Sequence, residues 1–168
     1  MKDFIFKLNV NDLYDSEKIF LWAIREWLLC VRVAKDPRKL LISPLSRCGI
    51  EEAVIPLDNI MRKLAYASSS PIDIRCHCSE KIGINEIDLL CILSIKQAKL
   101  EITSNKIIKY LAEEHLIELN NNCIKLIKYF NEGNLFFPIR KELISSYNIF
   151  NGNEKNSFYC DFKTKTLH

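Results

Sequence analysis

Apolar side chains recur at intervals of three and four from residue 15 onward, the spacing that places them along one face of an α-helix. Asp15-Ser16-Glu17-Lys18 supplies a capping side chain and first-turn acids, and Ile19 to Val31 then continues as a predicted helix. Phe20, Ile24, Trp27 and Val31 form its principal stripe, with Ala23 and Leu28 beside it. Trp22, Leu29 and Val33 make a second apolar flank. This helix is therefore expected at the centre of the fold, or at an interface with a partner protein or a second copy in a homodimer.

The same reading carries along the chain. Arg38 to Leu45 predicts a short helix interrupted by Pro44 and stopped at Arg47-Cys48-Gly49. Glu51 and Glu52 open a longer helix carrying Val54, Leu57, Ile60, Met61 and Leu64, with Pro56 early enough to be tolerated, and Ala67-Ser68-Ser69-Ser70-Pro71 closes it as a polar loop. Asn85-Glu86-Ile87-Asp88 starts a helix whose continuation, Leu89 to Ile95, is almost wholly apolar and is expected to be buried. Ser104-Asn105-Lys106 opens another helix with Ile107, Ile108, Leu111 and Ala112. Asn120-Asn121-Asn122 separates it from a last strong one, whose stripe is Cys123, Leu126, Ile127 and Phe130 and whose stop is Gly133. Phe136-Phe137-Pro138 is expected to cap a further short helix through Tyr147. Strand-like alternation occurs at Lys2 to Val10 and at Ile72 to Cys78, enough for one two-stranded element pairing residues 2–10 with 72–78. The expected fold is mainly α: a single-domain bundle of five to seven helices over residues 1–150, with 151–168 as a poorly packed tail.

Composition narrows the class. With 168 residues, 48% of them hydrophobic, the chain has enough apolar surface for one core and too much for wholesale disorder. The 24 Lys and Arg against 21 Asp and Glu leave +3, spread evenly over both halves, so the balance announces neither a nucleic-acid partner nor a membrane partner. Ile19 to Ala34 contains Arg25, Glu26 and Arg32 and falls short of a membrane span. No export signal is visible, and the cytoplasm is the expected location. Thiols stay reduced there, so the seven cysteines, an odd number, read as free thiols or metal ligands rather than a disulfide framework. Lys outnumbers Arg 17 to 7, and Ile and Asn are abundant at 23 and 14, the imprint of an AT-rich bacterial genome.

Chemistry concentrates at Cys76-His77-Cys78. Thiolate sulfur and imidazole nitrogen suit zinc, the one cofactor these residues offer, although no cofactor is called for by any motif. A Cys-x-Cys pair needs two further ligands, and Cys91, Cys48 and His115 are the candidates. In an extended segment Cys76 and Cys78 share a face and His77 takes the other, which also argues against a Cys-His nucleophile built from neighbours. His115 and Glu118 lie three apart on one helical face, and a solvated pair accounts for them. The four isolated glycines exclude a phosphate-cradling loop and a nucleophile elbow. Thr103 to Ala112 with the following helix has the outline of a helix-turn-helix, but the turn lacks glycine, and Glu113, Glu114 and Glu118 oppose the field of Lys125 and Lys128.

Leu21-Trp22-Ala23-Ile24-Arg25-Glu26-Trp27, Arg75-Cys76-His77-Cys78 and Glu86-Ile87-Asp88-Leu89-Leu90, ending at Lys96-Gln97, together resemble a family of small, uncharacterised α-helical proteins of alphaproteobacteria with a Cys-x-Cys segment. The resemblance covers about half the chain and implies a compact helical fold with no activity attached. The expected function is a non-enzymatic cytoplasmic protein-interaction or regulatory module with Trp22, Leu29 and Val33 as its contact surface. The alternatives are a zinc-binding domain using Cys76 and Cys78, and a helical nucleic-acid-binding regulator.

Overall fold

A computed structural model describes residues 8–102, 111–140 and 149–150. The chain is mainly α-helical, with five helices among the described residues. In α1 (Asp15–Arg32), the Glu17 carboxylate turns back to accept the Tyr14 backbone N–H at 2.9 Å, satisfying a donor that the first turn leaves open. α2 (Pro37–Arg47) begins with the Asp36 side chain accepting from the Arg38 N–H, and Pro37 occupies the first position, where a missing N–H costs nothing. A 3-10 turn at Glu51–Ala53 leads into α3 (Val54–Ala67). α4 (Ile84–Gln97) and α5 (Glu113–Glu132) complete the set.

The apolar faces meet in one contiguous core. α3 lies along α5, α1 against α2 and α3, and α4 against α5. Every residue of α4 from Asn85 to Ile95 is buried, as its nearly unbroken apolar run requires. Beyond α5 the chain returns to the core through Phe137, whose ring stands edge-on to Phe20 at 6.0 Å and stacks on Phe130 at 5.0 Å. A fully buried carboxylate, Asp58 of α3, ties three helices together. It accepts from Trp27 Nε1 of α1 at 2.7 Å, from Arg62 Nε at 2.9 Å and from Arg38 Nε of α2.

Four expectations change. Pro44 does not interrupt the second helix: α2 continues to Arg47, with Leu41 and Leu45 buried on either side of the proline and holding the turn by packing. Asn120-Asn121-Asn122 is no break but the middle of α5, because Asn122 is satisfied inside the helix. Its Nδ2 donates to the Glu118 carbonyl at 2.9 Å and its Oδ1 accepts from Asn59 of α3 at 3.1 Å. At the end of α1 the buried residue is Cys30, leaving Val31 exposed. Residues 72–78 form no strand. Asn9 bridges Lys81 instead, and the Val10 N–H donates to the Glu80 carbonyl at 2.9 Å.

The short sheet lies elsewhere, with β1 (Glu101–Ile102) antiparallel to β2 (Ile149–Phe150) and Glu101 opposite Phe150. Leu111 and Ala112 are extended rather than helical, Leu111 bridging Ser68. The expected helix opening at Ser104, most of the one through Tyr147, residues 2–7 of the expected strand and the 151–168 tail lie outside the described residues.

Candidate functional site

Between α3 and α4 the chain passes the middle of α1, beside Arg25 and Glu26, in an irregular segment that turns back at Cys76 to Ser79, where the Ser79 N–H donates to the Cys76 carbonyl at 3.0 Å. Cys76, His77 and Cys78 are all exposed. The turn, rather than an extended strand, brings the two sulfurs to one side, and their Sγ atoms lie 3.0 Å apart. His77 meets α1, its Nδ1 3.3 Å from the Glu26 carboxylate.

A buried ion pair holds this turn in place. Arg25 of α1, 4% exposed, donates from Nε and a terminal nitrogen to the two Glu86 oxygens at 2.8 and 2.9 Å, the bidentate geometry that suits a guanidinium and a carboxylate. Its remaining donors reach the Ser79 carbonyl at 2.6 Å and the Lys81 carbonyl at 2.8 Å. Glu86 in turn accepts the Arg75 N–H at 3.1 Å and the Gly83 N–H at 2.6 Å. The two buried charges thus find partners in each other and in backbone groups on both sides of the cysteine turn. Gly83 allows the closure: a Cβ there would stand 2.7 Å from the Asp73 carbonyl oxygen, so only glycine admits the crossing strand of backbone.

The thiols are not equivalent. The hydrogen bond from Cys78 holds the Cys76 thiol below the ordinary cysteine range, helped by backbone donors at residues 78 and 79 and by the Arg25 charge. The same bond raises Cys78. Cys76 is therefore the sulfur that carries charge first, with Cys78 its proton-bearing neighbour.

Of the five metal-ligand candidates, the structure brings together Cys76 and Cys78 alone. Cys91 is buried within α4, and His115 stands at the start of α5 with its Nε2 3.6 Å from Glu114. Cys48, half-buried, caps α2. No group of three or more His, Cys, Asp or Glu side chains converges among the described residues. The paired carboxylate expected for His115 is engaged elsewhere, since Glu118 meets Lys63 of α3 at 2.5 Å. Of the interaction candidates, Leu29 and Val33 are exposed, at 44% and 53%, whereas Trp22 is half-buried and packs against the core.

Two hollows adjoin the segment. Trp22, Arg25, His77, Cys78 and Val10 line a shallow one of about 260 Å³ beside the turn. The other, about 350 Å³, is lined by Trp27, Met61, Leu64, Ser68, Ile72 and Ile74, and the buried Ser68 hydroxyl beside it has no hydrogen-bond partner among the described residues.

Sequence reasoning singled out the sulfurs and missed the clamp. Its signal was present as charges set against the apolar runs of two helices, Arg25 with Glu26 between Ile24 and Trp27, and Glu86 with Asp88 ahead of Leu89, but the linear pattern does not say which of them pair. Charges so placed are retained when they pair with each other. No known protein family matches the chain, and neither a curated protein nor a solved structure is similar to it.

Proposed function

We propose that this chain is a non-enzymatic protein-interaction module of the bacterial cytoplasm, and that the elbow between α1 and α2 takes up an acidic, apolar segment of a partner protein. The observation that carries this reading is the composition of the elbow. Leu29, Val33, Leu40 and Ile42 are large apolar residues left exposed within 14 positions. Around them Arg32, Lys35, Lys39 and Arg47 are also exposed, and the one acid between them, Asp36, is occupied in capping α2. Exposed apolar surface of this kind gains about 25 cal/mol per Å² when covered, and the surrounding cations select an acidic coverer. A second copy docked symmetrically would set these cations against themselves, which disfavours self-association through the same face. The cytoplasmic part of the reading is supported by the cysteines, since Cys30, Cys48, Cys76, Cys78 and Cys123 are free thiols. No helix of the described residues is long and apolar enough to cross a membrane.

The test uses the full chain and two synthetic amphipathic helical peptides, one of leucine and glutamate and one of leucine and lysine, read by fluorescence anisotropy. The acidic peptide is expected to bind, and a Leu29→Asp/Val33→Asp variant to lose about tenfold or more in affinity, because each buried aliphatic side chain contributes about 1.5–3 kcal/mol. Equal binding of both peptides, an unaffected variant, or a dimer in sedimentation that the variant dissolves would each overturn the reading.

A further inference from the structure

We propose that Cys76 and Cys78 form a thiol–disulfide exchange site, whose substrate is a low-molecular-weight disulfide and whose oxidised product is a Cys76–Cys78 disulfide within the turn. Three observations converge on it. The two Sγ atoms are 3.0 Å apart and both residues are open to solvent. The turn that presents them is held from beneath by four hydrogen bonds of Arg25, two to Glu86 and two to the Ser79 and Lys81 carbonyls, so the pair is a fixed feature of the surface rather than a chance encounter of two side chains. His77, the neighbouring group that would otherwise crowd the sulfurs, is engaged with Glu26. Among the described residues the remaining thiols are shielded: Cys30, Cys91 and Cys123 are buried and Cys48 is half-buried. Among the described residues no third ligand joins the two converging sulfurs, and that suits exchange, which needs two, better than tetrahedral zinc, which needs four.

The chemistry balances with the disulfide as oxidant. The Cys76 thiolate attacks one sulfur of R–S–S–R, a Cys76–S–R bond forms, and the R–S⁻ leaving group departs with the electron pair of the broken bond. That thiolate takes up the proton released as Cys78 ionises. Cys78 then attacks the Cys76 sulfur, closes the intramolecular disulfide and expels the second R–S⁻, which is protonated from solvent. Two protein thiols are oxidised and one disulfide is reduced to two thiols. Cys76 is placed as the attacking sulfur because the Cys78 thiol and backbone donors at residues 78 and 79 all favour its charged form, whereas Cys78 has the backbone donor at residue 78 alone, which leaves Cys78 as the resolving sulfur.

The experiment treats the reduced full chain with one equivalent of 5,5′-dithiobis(2-nitrobenzoate) at neutral pH. Released thiol is followed by absorbance, and cleavage after Arg75 and Lys81 isolates the peptide Cys76–Lys81, which contains no other cysteine. The expected result is a peptide lighter by two hydrogens and free of adduct. Cys78→Ser is expected to trap the mixed disulfide on Cys76, and Cys76→Ser to slow the first release at this peptide by about tenfold relative to Cys78→Ser. A wild-type peptide that keeps a stable adduct, or that stays reduced while other cysteines react, would overturn the site. Equal first-release rates in the two variants would overturn the assignment of roles.

Discussion

Asp58 has no exposed surface, yet it is surrounded by donors. Burial alone would raise its pKa, but the hydrogen bonds from Trp27, Arg62 and Arg38 outweigh that and hold the carboxyl below the usual aspartate range. A group whose folded pKa is depressed stabilises the fold above its unfolded value of about 3.9, and that contribution is lost as pH falls through the folded value. Arg38 and Arg62 are each about half exposed, so solvent screens part of the Coulomb attraction, and most of the effect rests on hydrogen bonds to the buried anion. Asp58→Asn is therefore expected to cost about 1.5–3 kcal/mol at pH 7, with the gap to wild type narrowing below about pH 4. Urea unfolding at pH 7, 5 and 3 checks this, and a gap that stays constant over that range contradicts it. Tryptophan and arginine near an aspartate in three separate helices leave no mark in a linear pattern, because the contacts span 31 and 20 residues. The pairing of Arg25 with Glu86, 61 residues apart, was illegible for the same reason, although each charge stands visibly against an apolar run, whereas Cys76 and Cys78 announce themselves by adjacency.

At the scale of elements, periodicity served where one force decides the outcome. α1 and α4 are set by apolar burial, and both were readable, α4 down to the burial of its apolar run from Leu89 to Ile95. Pro44 and Asn120 to Asn122 misled because local preference and tertiary packing disagree there, and packing wins once Leu41 and Leu45, or Asn122 and Asn59, are fixed from outside the helix. Gly133 was readable as a stop for α5, but its position has a second requirement invisible in the sequence. A Cβ at residue 133 would stand 2.5 Å from Cγ2 of Ile50, which is itself 1% exposed and has nowhere to retreat, and 3.3 Å from the Cys48 carbonyl oxygen. The end of α5 thus rests directly on the link between α2 and α3. Gly133→Ala, harmless in backbone terms at φ −82°, is expected to destabilise by about 1–3 kcal/mol through this overlap. Pairing it with Ile50→Ala, which vacates the contested space, should cost less than the sum of the two single variants. Strict additivity in denaturant unfolding would remove the steric account.

For the whole molecule the decisive property is that one core joins all five helices, so opening any deeply buried point requires opening most of it. Cys123 reports on this. It sits in the middle of α5, 1% exposed, and burial pushes its thiol up to about 12 against a smaller opposing pull from Lys96. Since only the thiolate reacts with alkylating reagents, the folded state protects Cys123 twice, by denying access and by suppressing ionisation. Its alkylation must then proceed through an open state whose population is set by the unfolding free energy, of the order of 5–15 kcal/mol for a domain of this kind. The expected rate is at least about 10³ below that of the denatured chain, rising with urea along the slope of the equilibrium unfolding transition. Cys76, by contrast, should be alkylated at a rate that urea hardly alters, because its turn already presents the sulfur to solvent. Mass spectrometric counting of both positions in one sample separates the two regimes. Cys123 labelling that is fast or independent of urea would show that α5 leaves the core by itself, and the picture of a single cooperative bundle would fail with it.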